Sequence, residues 1–156
     1  MQKIGIIGRG FVGSAVEFGF SPNTGCDAQV KVYDKDKSKS LHSLEETVNE
    51  SDFLFMSVPT PSNKDGSINL DIVYSAVSDI NSINRRNDNI LILRSTVIPG
   101  TTQELQNTFP HLNIVFNPEF LTERSAKFDF INQARFIIGG EKKHVSNVAD
   151  LFRWRF

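Results

Sequence analysis

Short apolar runs alternate with longer stretches of mixed apolar and polar residues along this chain. A short apolar run predicts a buried strand, and a longer stretch with apolar residues three and four apart predicts a helix. The predicted strands are Lys3–Ile7, Gln29–Tyr33, Phe53–Val58, Ile90–Leu93, Asn113–Phe116 and Phe136–Ile138. The predicted helices are Phe11–Phe20, Leu44–Asn49, Leu70–Asn84, Thr101–Phe109 and a last segment from about His144.

Strands that alternate with helices are typical of βαβ units, in which parallel strands form a sheet covered by helices. The pattern therefore predicts an α/β fold: a doubly wound parallel sheet of about six strands with helices on both faces. The 156 residues contain no linker, repeat or low-complexity segment, so residues 1–156 are expected to form a single domain. The longest irregular segment is Pro59–Asn69, and such loops often carry function.

The first predicted strand leads into a glycine-rich loop, Gly8–Gly13 (GRGFVG), which opens the first helix. It fits the G-x-G-x-x-G pattern in the context that this pattern requires. The first glycine permits a tight turn, the second lets the backbone approach a pyrophosphate, and the third lets the helix pack against the strand. The helix N-terminus adds N–H donors and a partial positive charge. The loop predicts Rossmann-type dinucleotide binding, with a glycine turn that holds no ligand as the alternative.

Asp34 stands at the end of the second predicted strand, directly after Tyr33 and 21 residues after Gly13, where dinucleotide-binding domains carry an acidic residue. Its carboxylate is expected to accept hydrogen bonds from the adenosine ribose and to repel a 2′-phosphate, which favours NAD over NADP. The neighbouring Lys35, Lys37 and Lys39 leave NADP open, because basic residues at this place can accommodate the extra phosphate.

Polar residues also follow three other predicted strands, at the edge where a parallel sheet places its ligands. Ser95 and Thr96 offer hydroxyl groups after the fourth strand. Glu119 and Glu123 follow the fifth strand and would share one face if their segment is helical. Two such carboxylates can serve as acid and base, or orient a water. Ordinary turn chemistry is the alternative for each stretch taken alone.

Taken in order, GxGxVG, VPTP…DG, RSTV.PGTT, NPEFL.E and FIIGG resemble the UDP-glucose/GDP-mannose dehydrogenase family. The resemblance covers nearly the whole chain but only the N-terminal NAD-binding domain of that family. It implies oxidation of the C6 alcohol of a nucleotide sugar to a carboxylate, with NAD as cofactor. The implied partner is a nucleotide sugar of the UDP-glucose class.

The resemblance also implies roles for individual residues. Thr96 and Glu119 would lie at the reacting centre and support water and proton transfer. The implied cofactor-binding residues are Gly8, Arg9, Gly10, Phe11, Val12, Gly13, Asp34, Lys39, Val58, Pro59, Thr60, Pro61, Ser62, Ser95, Thr96 and Glu123. The implied substrate-binding residues are Glu119, Phe120, Leu121, Thr122 and Glu123.

The family's nucleophile is a cysteine of a later domain, and the only cysteine here, Cys26, is expected to be structural because it precedes the second strand. The family's central helix and C-terminal UDP-sugar domain are expected to be absent. The full reaction would then need a complementing catalytic chain. Two alternatives stay open: an inactive NAD-binding module with a regulatory or partner-binding role, and a small NAD-dependent oxidoreductase with Glu119 as base.

Charge and composition exclude several other classes. Seventeen basic and 18 acidic residues give a formal net charge of −1, which argues against nucleic acid as the main partner. No apolar run approaches the length of a membrane span or a signal peptide. One cysteine rules out an internal disulfide and fits a cytoplasmic protein. The three histidines have no ligand-like spacing, so no metal site is expected.

Overall fold

The computed structural model describes residues 1–156 as a six-stranded sheet with helices on both faces. The strands are β1 (Gln2–Ile7), β2 (Ala28–Tyr33), β3 (Phe53–Met56), β4 (Ile90–Leu93), β5 (Asn113–Phe116) and β6 (Gly139–Gly140). The helices are α1 (Phe11–Gly19), α2 (Leu44–Asn49), α3 (Asp71–Ile83), α4 (Thr101–Thr108), α5 (Ala126–Asn132) and α6 (Lys142–Arg155). Short 3₁₀ helices occupy Pro22–Thr24 and Glu123–Ser125. No helix has the length and apolar character needed to cross a membrane.

The strand order is β2-β1-β3-β4-β5-β6, and the first five strands in this order are parallel. The chain therefore moves outward from β1 in one direction to β2 and then in the other direction through β3 to β5. This reversal places a topological switch point between β1 and β3, where doubly wound sheets bind ligands beyond the strand ends. The predicted doubly wound α/β fold is confirmed.

The central strands send alternate side chains into two separate cores because successive residues of a strand point to opposite faces. Ile4, Ile6 and Phe55 lie in one core, which α1, α5 and α6 cover. Leu54 and Met56 lie in the other core, which α2, α3 and α4 cover. The continuous apolar runs of β3 and β4 thus reflect burial on both faces.

The sixth strand differs from the prediction in place and direction. Phe136–Ile138 forms no strand, and the pairing is made by the two glycines that follow, antiparallel to β5. Gly140 is suited to this pairing because a Cβ there would lie 3.1 Å from a Val115 side-chain atom. Phe136 instead stacks on Phe152 of α6, with ring centroids 4.1 Å apart.

Helix α5 is an element that the sequence pattern did not predict. It packs against the end of α1, where an ideal Cβ on Gly19 would lie 2.3 Å from the ring of Phe130. Phe130 is fully buried there and contributes to the first core. Cys26 is buried in the same core just before β2, at the amino edge of the sheet, as expected for a structural residue.

Candidate functional site

A cleft of about 790 Å³ runs along the carboxyl ends of the parallel strands. It begins beside β2, crosses the loops that follow β1 and β3, and ends beside β4 and β5. The predicted site residues that line it are Gly8, Gly10, Phe11, Val12, Asp34, Lys39, Val58, Pro59, Thr60, Ser95, Thr96 and Glu119. The fold thus brings segments that are far apart in sequence to one surface.

Two glycines of the loop are required by the backbone that surrounds them. Gly8 has a φ of 91°, and a Cβ there would lie 2.2 Å from the Ser57 carbonyl oxygen. A Cβ on Gly13 would lie 1.9 Å from the Gly8 carbonyl oxygen. Both contacts are far below van der Waals distance, so the tight turn and the close packing of α1 need these glycines. The sequence-based explanation for both positions is consistent with this geometry.

Gly10 is different because a Cβ there would meet no atom within 4 Å. Gly10 lines the cleft and is the N-cap of α1, with no side chain to cap the helix. The first N–H groups of α1 lack intrahelical acceptors and carry the positive end of the helix dipole. The space beside Gly10 is therefore suited to an anionic group such as a pyrophosphate.

Asp34 lies directly after β2, beside the glycine loop that follows β1. Its Oδ2 accepts a hydrogen bond from the Arg9 N–H at 2.6 Å, and its Oδ1 accepts one from the Asp36 N–H at 2.8 Å. These two bonds orient the carboxylate and still leave acceptor capacity on each oxygen. The cations Lys35 and Lys39 line the cleft beside it.

The Arg9 side chain lies outside the cleft lining. Its Nε and Nη2 donate to the Glu17 carboxylate at 2.7 and 2.8 Å, and its Nη1 donates to the Lys39 carbonyl oxygen at 3.2 Å. The hydrogen bonds to Glu17 raise the pKa of the Arg9 guanidinium. Arg9 contributes its backbone N–H to Asp34, while its side chain joins α1 to the loop after β2.

Ser95 and Thr96 are adjacent but differ in environment. Ser95 is buried, and its hydroxyl group is bonded to both backbone groups of Val58. Thr96 is exposed in the cleft. Of the two hydroxyl groups that the sequence pattern singles out, that of Thr96 is therefore the one free to meet a ligand.

Arg94 directly follows β4 and is buried, with 2% of its surface exposed. Its Nη1 donates to the Oδ1 of Asn117, which directly follows β5, and its guanidinium lies over the Phe130 ring at 5.5 Å. Its Nε and Nη2 have no hydrogen-bond partner. Burial lowers the pKa of Arg94 to about 10, which still leaves it a cation at neutral pH. This end of the cleft therefore carries an incompletely compensated positive charge.

Glu119 lies in the cleft near Arg94, and its Oε2 accepts a hydrogen bond from the Leu121 N–H at 2.7 Å. The condition under which Glu119 and Glu123 would share a helix face is not met. The segment before Glu123 is irregular, and a 3₁₀ helix starts only at Glu123. Pro118 and the side-chain bond of Glu119 to its own segment favour a turn over a helix.

The remaining predicted site residues do not line the cleft; they are Arg9, Gly13, Pro61, Ser62, Phe120, Leu121, Thr122 and Glu123. Pro61 and Ser62 belong to a small hairpin, in which Ser62 pairs with Ile68 and Asn69 N–H donates to the Pro61 carbonyl oxygen. The cleft lining ends at Thr60, just before this hairpin, and resumes at Asp71. Contacts of these residues with a cofactor or a sugar stay predictions.

Helix α3 supplies a wall of the cleft that sequence reasoning missed. Ile72, Ala76 and Asp79 line the cleft from the face of α3 that adjoins the core face formed by Val73, Val77 and Ile80. Ile72 and Ala76 fall within the apolar stripe of the predicted helix, so the sequence did not set them apart, and only the structure shows Ile72 with 41% of its surface exposed. The position of this wall depends on how α3 packs, which periodicity alone does not define.

Three comparisons agree with this geometry. A family model described as the UDP-glucose/GDP-mannose dehydrogenase family, NAD binding domain, matches residues 30–154. The UDP-glucose 6-dehydrogenase of Campylobacter jejuni is 29% identical, over 97% of this chain and 45% of that protein. The structure of a UDP-glucose dehydrogenase from the archaeon Pyrobaculum islandicum matches with a TM-score of 0.80 at 25% identity.

The match to Pyrobaculum covers 98% of this chain and 44% of that one. A ternary complex of GDP-mannose dehydrogenase from Pseudomonas aeruginosa shares the fold, with a TM-score of 0.78 at 23% identity. The match covers 98% of this chain and 44% of the GDP-mannose dehydrogenase chain. The chain therefore spans less than half the length of these relatives.

Proposed function

The chain belongs to the UDP-glucose/GDP-mannose dehydrogenase family, and we propose that it is the cofactor-binding part of a nucleotide-sugar dehydrogenase. The domain matched in that family binds NAD. The reaction proposed for the complete enzyme is the oxidation of the C6 alcohol of a UDP-glucose-class sugar to a carboxylate. Bound NAD would accept the hydride that leaves the alcohol carbon in that reaction.

One observation carries the proposal. A single cleft joins the uncapped N-terminus of α1, the oriented carboxylate of Asp34 and the polar residues after β4 and β5. Gly10 supports the fit of a dinucleotide, since the missing side chain leaves open space at the helix N-terminus. Asp34 would accept hydrogen bonds from the adenosine ribose, and the N–H groups of α1 would bind the pyrophosphate.

Thr96 and Glu119 would act at the other end of the cleft. The exposed hydroxyl of Thr96 can hold a water or a substrate hydroxyl, and the Glu119 carboxylate can accept a proton from it. The buried cation of Arg94 favours a negatively charged group at this end. This combination suits an oxidation in which an alcohol loses a proton and a carboxylate is formed.

Carboxylate formation through a thioester needs a cysteine, and Cys26 lies buried at the opposite edge of the sheet. The nucleophile would therefore come from polypeptide outside these 156 residues. We propose that this polypeptide also carries most of the sugar-nucleotide contacts.

Calorimetric titration of the chain with NAD tests the cofactor site, with the folded Asp34→Ala variant for comparison. We expect saturable NAD binding that weakens by about tenfold or more in Asp34→Ala, because charge-assisted hydrogen bonds to the ribose are lost. Folded wild-type chain that does not bind NAD would contradict the proposal.

The catalytic part of the proposal needs a complementation assay. The chain would be mixed with the C-terminal half of a family member that retains its cysteine, and NADH formation from UDP-glucose followed. Turnover that falls in Thr96→Ala and Glu119→Gln would support the enzyme. NAD binding without turnover would favour the regulatory module.

A further inference from the structure

An arginine lies beside the proposed ribose end of the cleft, with its side chain outside the cleft lining. The Arg9 N–H donates to Asp34, so the Arg9 backbone touches the carboxylate proposed to hold the adenosine ribose. The Arg9 Nη1 reaches the carbonyl oxygen of Lys39, whose side chain lines the same end of the cleft. The Arg9 guanidinium, which does not line the cleft, is thus attached to the segment that carries Lys39 at the proposed ribose end.

The hydrogen bonds of Arg9 show which of its donors are already used. Nε and Nη2 form the side-on edge with which arginine binds carboxylate or phosphate in two parallel bonds. Glu17 occupies this edge, with one carboxylate oxygen on each nitrogen at 2.7 and 2.8 Å. The pair is partly buried, with 29% of the Arg9 side chain and 23% of the Glu17 side chain exposed. The pair is therefore better shielded than a fully exposed surface ion pair.

We propose that Glu17 is a specificity-determining residue that keeps this site selective for NAD. It does so by occupying the phosphate-binding edge of Arg9, which withholds that edge from the 2′-phosphate of NADP. This inference builds on the NAD site proposed above and assigns its selectivity to a residue on the far side of the glycine loop. Asp34 repels the 2′-phosphate directly, and Glu17 adds a second barrier because it neutralises the charge of Arg9.

The surrounding charges make this barrier necessary. Lys35 and Lys39 line the cleft beside Asp34, so the ribose end would otherwise attract a phosphate. Arg9 would add a bidentate donor to these two cations if Glu17 released it. Glu17 lies in α1 outside the cleft lining, so its substitution leaves the proposed ribose, pyrophosphate and reacting-end contacts in place.

The test compares the dissociation constants of NAD and NADP for the full chain by calorimetry. In Glu17→Gln we expect NADP affinity to rise by about tenfold, since Arg9 gains a charge-assisted contact to the phosphate, while NAD affinity stays within about twofold. Glu17→Ala should give at least the same gain. Thermal unfolding of each variant establishes that it is folded, and Glu17→Gln keeps the size of the side chain if the alanine variant does not fold.

Two controls separate the release of Arg9 from a general change in charge. Glu50→Gln removes the same charge from an ion pair with Lys31 outside the cleft, and it should leave the NADP-to-NAD ratio unchanged. The double variant Glu17→Gln/Arg9→Met should lose the gain in NADP affinity, because the guanidinium that would bind the 2′-phosphate is missing.

An unchanged ratio in Glu17→Gln would overturn the inference. So would an NADP gain that persists in the double variant or that Glu50→Gln reproduces. A wild-type chain that fails to bind NAD would contradict the proposed cofactor site itself. A Glu17→Gln variant that binds NAD with unaltered selectivity would contradict only the role of Glu17.

Discussion

The hydroxyl group of Ser95 donates a hydrogen bond to the Val58 carbonyl oxygen at 2.8 Å and accepts one from the Val58 N–H at 2.9 Å. One side chain after β4 thereby satisfies both backbone groups of a residue that follows β3. The bonds fix the loop that forms the middle of the cleft. Ser95 thus acts on the site by holding another segment in place.

Ser95→Ala is expected to lower the free energy of unfolding by about 1–3 kcal/mol, because two backbone groups lose their partner. Urea denaturation measures this loss. Thr96→Ala is the matched control, since the neighbouring hydroxyl is exposed, and it should stay within about 0.5 kcal/mol of wild type. Equal effects of the two substitutions would contradict the assigned difference.

Gly10→Ala and Gly13→Ala should separate ligand binding from folding. The Cβ at position 10 meets nothing within 4 Å, so Gly10→Ala should fold normally and bind NAD more weakly because it fills the space proposed for the pyrophosphate. The Cβ at position 13 would lie 1.9 Å from the Gly8 carbonyl oxygen, so Gly13→Ala should lose stability. Melting temperatures and NAD titrations of both variants check the pair. Normal NAD affinity in Gly10→Ala would place the pyrophosphate elsewhere.

Gly19→Ala should weaken the packing of α5 on α1. Its Cβ would lie 2.3 Å from the buried Phe130 ring, and overpacking of this kind costs about 1–3 kcal/mol. Gly139→Ala serves as the control, because a Cβ there meets no atom within 4 Å. Chemical denaturation should show a loss for Gly19→Ala alone, and a stable variant would mean that α5 is displaced at little cost.

The capping interactions at the N-terminus of α2 should make the stability of the protein depend on pH in the acid range. Ser43 and Glu46 form a capping box, and the hydrogen bonds from the Ser43 side chain and N–H hold the pKa of Glu46 below its ordinary value. A depressed folded-state pKa gives stability that is present above the unfolded pKa of about 4.3 and lost as pH falls through the folded value.

In Glu46→Gln, the free energy of unfolding should therefore fall less than in wild type as the pH drops below about 4.3. Unfolding measured between neutral and acid pH would reveal the difference between the variant and wild type. A variant that keeps the full acid dependence of wild type would show that the capping box does not contribute to it.

Much of the local structure was predictable because it depends on neighbours in sequence. The bounds of α2, β4 and β5 agree with the prediction, and the capping box at Ser43 explains why α2 begins where it does. The glycine loop was recognisable because its turn and its helix start need glycine at fixed spacing. The hydrophobic runs also predicted a sheet buried on both faces.

The features that sequence reasoning missed depend on contacts between distant segments. Helix α5 is held by the fit between Phe130 and Gly19, which lie more than a hundred residues apart. The last strand forms at the two glycines, where the backbone of Gly140 approaches β5 closely, while Phe136 stacks on Phe152 of α6.

The sequence by itself determined the α/β class, the glycine loop and the acidic residue after β2, since each follows from local spacing. Only the tertiary structure decided what each polar side chain faces. It directs the Arg9 guanidinium to Glu17, locks Ser95 onto Val58 and leaves one edge of Arg94 unpaired. The physical reason is that hydrogen bonds are short and directional, so their partners are chosen by how the strands and helices pack.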